Sequence, residues 1–157
     1  MKINGPALRL PSDLDTDIII AGRYLRTKDR SIWAAHAFED LDPSLAGRLA
    51  GAVLVAGPNF GCGSSREQAA IALRDAGVAA VVAPSFARIF YRNAINLGLP
   101  IAEAALDCAD GETVEVDLEA GLVRAGDRAP VPIAPLSPRM RAILGAGGLV
   151  ELLKGNA

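Results

Sequence analysis

Two adjacent hydroxyls, a guanidinium and a carboxylate follow two glycines in the stretch NFGCGSSREQ at residues 59–68. Gly61 and Gly63 allow backbone amides to come close to a bound group. Arg66 adds a planar fork suited to a carboxylate. If the run opens a helix, the helix dipole favours negative charge at that point. Together, Ser64, Ser65 and Arg66 suit a site that grips an anion. The run Ser64-Ser65-Arg66-Glu67 also fits the capping box S-x-x-E, with Ser64 bonding an amide near Glu67 and Glu67 reaching back. Capping occupies Ser64 and Glu67 only, and leaves Asn59, Gly61, Gly63, Ser65 and Arg66 without a purpose. From these residues alone, anion site and helix cap both stay open.

Other chemistries fit poorly. A phosphate-cradling loop needs Gly-Lys-Ser/Thr, and no lysine lies between Lys28 and Lys154. The dinucleotide fingerprint fails because Arg66 stands where its last glycine belongs. No G-x-S-x-G elbow occurs, and the one histidine, His36, lies in an irregular stretch, which argues against a Ser/His/Asp hydrolase. Asp13, Asp15 and Asp17 resemble the start of a calcium loop, but its glycine and distant glutamate are missing. Cys62 and Cys108 form neither a CxxC nor a Cys/His metal spacing, so no metal ligands are assigned to this chain.

The elements around the motif follow from periodicity. Apolar runs at 52–56 and 78–83 and the LPIAEA segment alternate with helical patterns in SREQAAIALRDAG and SFARIFYRNAINLG. Continuous apolar strands separated by helices imply right-handed crossovers and a buried parallel sheet. Ligands of such sheets sit at the carboxyl ends of the strands, and the motif occupies one of those strand-to-helix turns. SFARIFYRNAINLG reads as an N-capped helix ending at Gly98, with Phe86, Ile89, Phe90 and Ile95 towards the core. Arg88, Arg92 and Asn93 are its polar positions, suited to supporting the site or meeting a partner. Residues 111–126 alternate apolar and polar around Glu119, Ala120 and Gly121, as an antiparallel hairpin does. Ser137 as cap, Pro138 at the first position and Gly145 as stop predict a last helix. Residues 26–49 lack a clean period and are expected to form a loop or flap.

The chain has 157 residues, 51% of them hydrophobic, enough for one domain spanning 1–157 with a sizeable core. Its formal net charge of -2 offers no electrostatic footprint for nucleic acid or an anionic membrane. No apolar run approaches the roughly 18 residues of a membrane span, and the start MKINGPALRLPSD lacks the apolar region of a signal peptide. A cytoplasmic protein is expected, which agrees with two cysteines too few for a disulfide framework.

The blocks DLDTDIIIAGRYLRT, AGPNFGCGSSREQAAIAL and VVAPSFARIFYRNAINLGLPI, in that order, resemble the small subunits of the aconitase superfamily's two-subunit hydro-lyases, isopropylmalate isomerase and homoaconitase. Beyond residue 104 the resemblance rests mainly on RMRAILGAGGLVELL. It implies the swivelling-domain fold of aconitase, a layered β/β/α arrangement of α/β class with a parallel sheet. It also implies a large subunit that carries a [4Fe–4S] cluster on three cysteines, with this chain closing over it and inactive alone. On the matching positions, Ser64 would be the base that takes a proton from the substrate carbon, as an alkoxide stabilised by the neighbouring amides and by Ser65 and Arg66. Arg66 would also bind a substrate carboxylate, and the cluster's open iron would take the leaving hydroxyl. In this frame Asp15, Thr16 and Asp17 are structural, with a role in positioning the flap.

GRYLRT at 22–27 falls where the resemblance places the substrate-recognition loop, so Arg26 and Thr27 are expected substrate contacts. A third carboxylate needs a cation, whereas a branched apolar tail disfavours desolvating one. Arg26 therefore points towards a tricarboxylate of the homoaconitate kind, against the alternative of a solvated loop arginine, while the isopropylmalate reaction of leucine biosynthesis is the commoner one for a chain of this type. From a different class, a stand-alone carboxylate-binding or regulatory module would use the same anion site without chemistry and without a partner.

Overall fold

A computed structural model describes residues 1–155 of the chain. Strands β1 (Lys2–Arg9), β2 (Val53–Val55), β3 (Ala80–Ala83) and β4 (Ile101–Glu103) lie in the order β4-β3-β2-β1, all parallel. Strands β5 (Thr113–Asp117), β6 (Leu122–Ala125) and β7 (Val131–Pro132) continue the sheet beyond β1 by antiparallel pairing. β1 serves both halves: residues 2–6 pair with β5 and residues 7–9 with β2. β2 and β3 are buried along their whole length, as parallel strands covered on both faces must be. The α/β alternation and the hairpin thus form where periodicity puts them, in a layered, mixed sheet with a parallel half.

β1 has no counterpart among the expected strands. Gly5 and Pro6 interrupt its signature, since neither favours a strand interior. A Cβ on Gly5 would lie 2.2 Å from the carbonyl oxygen of Gly51, so close backbone contact requires glycine there.

Helices α3 (Glu67–Asp75) and α4 (Arg88–Leu97) connect β2 to β3 and β3 to β4. Their buried residues, such as Ala70, Leu73, Phe90 and Ile95, pack in the same core as the strands. α4 stops at Gly98, whose φ of 79° lies in the left-handed region. Ile89, expected in the core, is 51% exposed, and Phe86 is half-buried. Nor does Ser85 cap α4: its hydroxyl accepts from the Asn59 amide at 2.8 Å, and the cap position falls to Ala87.

The connection from β1 to β2 holds α1 (Thr16–Ile19), α2 (Arg30–Ala35) and two 3-10 turns, Gly22–Arg26 and Pro43–Arg48. The expected loop or flap at 26–49 is therefore folded, with Trp33, Phe38, Leu45 and Leu49 buried. Arg30 forks onto Asp75 of α3 at 2.7 and 2.8 Å, and the Trp33 indole donates to the Tyr24 carbonyl at 3.0 Å. Its apolar residues show no common period because each anchors a different short turn.

The chain ends in α5 (Pro138–Ala146) and α6 (Leu149–Gly155). Ser137 caps α5 as expected, its Oγ accepting from the Met140 amide at 3.1 Å. The stop comes at Gly147 rather than Gly145. Gly147 presses on the end of α4, where a Cβ on Gly98 would sit 2.4 Å from Gly147 backbone atoms. No helix among the described residues is long and apolar enough to cross a membrane.

Candidate active site

Three turns at the carboxyl ends of β1, β2 and β3 are laced together by backbone hydrogen bonds. The Asp13 amide donates to the Pro58 carbonyl (2.9 Å), Gly61 to Leu14 (2.8 Å) and Thr16 to Cys62 (2.8 Å), joining the first turn to the second. Phe60 donates to the Ser85 carbonyl (3.1 Å) and Ala87 to the Phe60 carbonyl (2.9 Å), joining the second to the third. A cleft of about 250 Å³ opens where they meet, with Thr16, Ser64, Ser65, Arg66, Arg88 and Asn93 on its walls. This is where a parallel sheet presents its ligand site.

The glycines of the motif are required by the turn itself, and both line the cleft. Gly61 and Gly63 have φ of 80° and 92°. A Cβ on Gly61 would fall 2.3 Å from Cγ of Phe90, and one on Gly63 would fall 2.5 Å from Oδ2 of Asp15. Asn59, also left-handed at φ 63°, donates from Nδ2 to Asp13 at 3.1 Å. These contacts answer for three of the residues that capping left without a purpose.

Of the two readings left open, the capping box does not form. α3 begins at Glu67, Arg66 occupies the cap position, and no side chain caps the helix. The Ser64 carbonyl accepts from the Arg66 amide at 2.9 Å, and Ser64 stands two residues before the cap position. That hydroxyl lies instead 3.4 Å from Oγ1 of Thr16, which donates to the Ser64 carbonyl at 3.0 Å. A threonine hydroxyl has one proton, so with that proton on the carbonyl it receives the Ser64 proton on a lone pair. Thr16 is the one buried polar side chain among the described residues, at 1% exposure, and its position holds Ser64 from below.

Arg66 is ion-paired through Nη1 to Asp17 Oδ1. The pair orients the fork and leaves Nη2 and Nε free for a carboxylate. Asp17 is itself fixed, because Asp15 caps α1 by accepting from the Asp17 amide at 2.7 Å. The DTD segment thus positions Ser64 and Arg66, and the helix it opens also accepts from the Phe38 amide of the 26–49 stretch at 2.9 Å. Thr16 and Asp17 were missing from the expected site residues, since 48 and 49 positions separate them from their partners and no local spacing marks the contact.

Ser64, Ser65 and Arg66 come together on one wall, while Arg26 and Thr27 stay outside the cleft. Arg26 closes the Gly22–Arg26 turn with an exposed side chain, and Thr27 Oγ1 accepts from the Asp29 amide at 3.1 Å. The turn nevertheless starts against the site: a Cβ on Gly22 would be 3.4 Å from Nη1 of Arg66. Arg23, Tyr24 and His36 converge on Glu39 and hold this turn.

Burial, and then Asp15 and Asp13, push the Cys62 thiol above its ordinary value, so at neutral pH it is protonated and a poor nucleophile. Cys108 is buried, and its thiol is likewise raised, mainly by burial. No group of three or more His, Cys, Asp and Glu side chains among the described residues is arranged to hold a metal ion. Two separate cysteines do not supply the several thiolates of an iron–sulfur cluster.

The family described as the aconitase C-terminal domain matches residues 13–105, which include all three turns of the cleft. The 3-isopropylmalate dehydratase small subunit of Moorella thermoacetica is 51% identical over 155 residues, covering 96% of this chain and 93% of that protein. The methanogen homoaconitase small subunit of Methanothermobacter thermautotrophicus is 49% identical over 153 residues, covering 95% and 89%. The crystal structure of 3-isopropylmalate dehydratase from Methanocaldococcus jannaschii superimposes with a TM-score of 0.92 at 45% identity, covering 99% of this chain and 95% of that one. With a family match over more than half its length and near-complete coverage of relatives at about half identity, the chain belongs to the aconitase C-terminal domain family.

Proposed function

We propose that this chain is the small subunit of a two-subunit hydro-lyase that isomerises a 2-hydroxy di- or tricarboxylate by dehydration and rehydration, of the 3-isopropylmalate dehydratase or homoaconitase type. The names and coverage of its relatives support this directly. The observation that carries the assignment of roles is the freedom of the Ser64 hydroxyl, which caps nothing and stands beside Thr16 at the mouth of an uncapped helix.

Ser64 removes the proton from the substrate carbon and returns a proton in the reverse sense. A serine is a weak base unless its alkoxide is stabilised. Here the positive end of the uncapped α3 dipole lies nearby and favours the alkoxide, with Ser65 and Arg66 alongside. Thr16 Oγ1 accepts a hydrogen bond from the Ser64 hydroxyl in the resting state and so fixes that hydroxyl at the cleft wall. Arg66, held by Asp17 through one nitrogen, offers its remaining donors to a substrate carboxylate. The [4Fe–4S] cluster used by aconitase-superfamily dehydratases does not fit this chain's donors, and we place it on the large subunit. This chain contributes proton transfer, one carboxylate contact and closure of the site, as a single domain working in the cytoplasm.

Arg26 selects the substrate within the group. It sits in a turn whose first residue abuts Arg66, and it reaches no carboxylate of its own chain among the described residues. The test is hydration of isopropylmaleate and of cis-homoaconitate by this chain mixed anaerobically with its cluster-loaded large subunit, each subunit alone as control. Faster turnover of cis-homoaconitate makes Arg26 the reader of a third carboxylate; preference for isopropylmaleate makes it a bystander. Turnover of neither acid with the cluster intact would overturn the enzymatic assignment in favour of a carboxylate-binding module.

A further inference from the structure

α4 is a ridge between two hollows. On one side lies the Ser64 cleft; on the other, a groove of about 530 Å³ runs between α4 and α5. Its floor is apolar, built from Tyr91, Ile95, Met140 and Ile143, and three exposed arginines, Arg88, Arg92 and Arg139, stand around it. Many arginines elsewhere are matched within the chain, such as Arg23 with Asp40, Arg30 with Asp75 and Arg128 with Asp107, and Arg9, Arg26 and Arg141, unmatched among the described residues, lie outside this groove. Arg88, Arg92 and Arg139 have no carboxylate in ion-pair range among the described residues, in a chain whose acidic residues outnumber its basic ones. Three like charges around one apolar floor repel one another and gain from a negative partner.

We infer that this groove is where the large subunit docks, through an acidic segment with an apolar side chain on the groove floor. The inference rests on the small-subunit assignment above. Continuity with the cleft selects this occupant: Arg88 lines both hollows, so a subunit closing over Ser64 must rest on α4. Ile89, 51% exposed, lines the cleft side of the same ridge and adds apolar surface where the two hollows meet. Arginine beside exposed aliphatic surface is the composition of a protein interface rather than of a solvated helix.

The test uses the reversals Arg92→Glu and Arg139→Glu, both outside the Ser64 cleft, with the milder Arg92→Ala and Arg139→Ala as second variants and Arg124→Glu on the far hairpin as the charge control. Affinity for the cluster-loaded large subunit is measured by sedimentation at low and high salt, and turnover is titrated against small-subunit concentration. Each reversal is expected to weaken assembly about tenfold or more, each alanine variant less, and the control not at all. The wild-type affinity should fall as salt rises from about 0.05 M to about 0.5 M. The half-saturating subunit concentration should rise in the reversals while turnover at saturation is kept. Wild-type affinity in folded Arg92 and Arg139 variants, or a wild-type pair indifferent to salt, overturns the docking surface even where turnover stands. An assembled wild-type pair that hydrates neither acid overturns the reaction, yet loss of assembly in the reversals would still uphold the docking site. A wild-type pair that fails to assemble overturns both.

Discussion

Helices α3 and α5 announce themselves in the same way, with a serine a few residues before an apolar helical stretch, and they use that serine differently. Before α5, Ser137 accepts from the Met140 amide and its hydroxyl is spent on the helix. Before α3, two glycines in left-handed conformation carry the chain past Asp15 and Phe90, and the helix starts too late for Ser64 to cap it. The unspent hydroxyl is held by Thr16, from another turn. A structural serine satisfies its own helix, whereas a serine available for chemistry is positioned by something else and leaves the helix amides open.

Exchanging the two serines for alanine should separate these roles most sharply. Ser64→Ala is expected to lower kcat of the assembled enzyme on the order of 10³-fold, the scale of a lost proton-transfer group, with its denaturant midpoint almost unmoved. A large fall in stability would instead show that Ser64 caps α3 after all. Removing the support has a smaller effect. Thr16→Val deletes one hydrogen-bonding group at nearly constant volume and should cost kcat about tenfold, while Thr16→Ser restores most of it. Equal kcat in the valine variant would detach Thr16 from Ser64.

Ser137→Ala should do the reverse of Ser64→Ala. Loss of a cap costs about 1 kcal/mol, read as a lower urea midpoint at unchanged kcat. Altered turnover in a folded Ser137 variant would blur the contrast between the two helix starts. Acid should divide them most gently. The α5 cap is neutral, but the turn abutting α3 is anchored by Glu39, whose carboxyl is lowered from 4.5 to about 2 by the Tyr24 hydroxyl first, then by His36 and Arg23. A depressed carboxyl contributes fully above its unfolded value and loses that contribution as pH falls through its folded one. Emission from Trp33, the chain's one tryptophan, bonded to the Tyr24 carbonyl, should stay constant from neutral pH to about 5 and change between about 4.5 and 2. A change above pH 5 would remove Glu39 as the anchor.

The strands at 53–55 and 80–83, the hairpin and the Ser137 cap were legible because each follows from a local rule: apolar continuity, alternation of period two, or a serine before proline. β1 escaped because Gly5 and Pro6 serve contacts with distant strands. The folded stretch at 26–49 escaped because its buried residues belong to separate short turns. Ile89 was misplaced because a helical period shows which face is apolar but not whether the protein covers it. Of the site, Ser64, Ser65 and Arg66 could be read directly, since glycines, hydroxyls and an arginine stand together on one turn. Whether Ser64 capped or stayed free could not, because that depends on the residue at which α3 begins. The sequence by itself determined the parallel sheet, the place of the motif at a strand's carboxyl end and the residue types that meet an anion. Only the tertiary structure decided that Thr16 holds Ser64, that Asp17 holds Arg66 and that three arginines gather in one groove, because those contacts cross about fifty residues of chain and exist only once the strands are side by side.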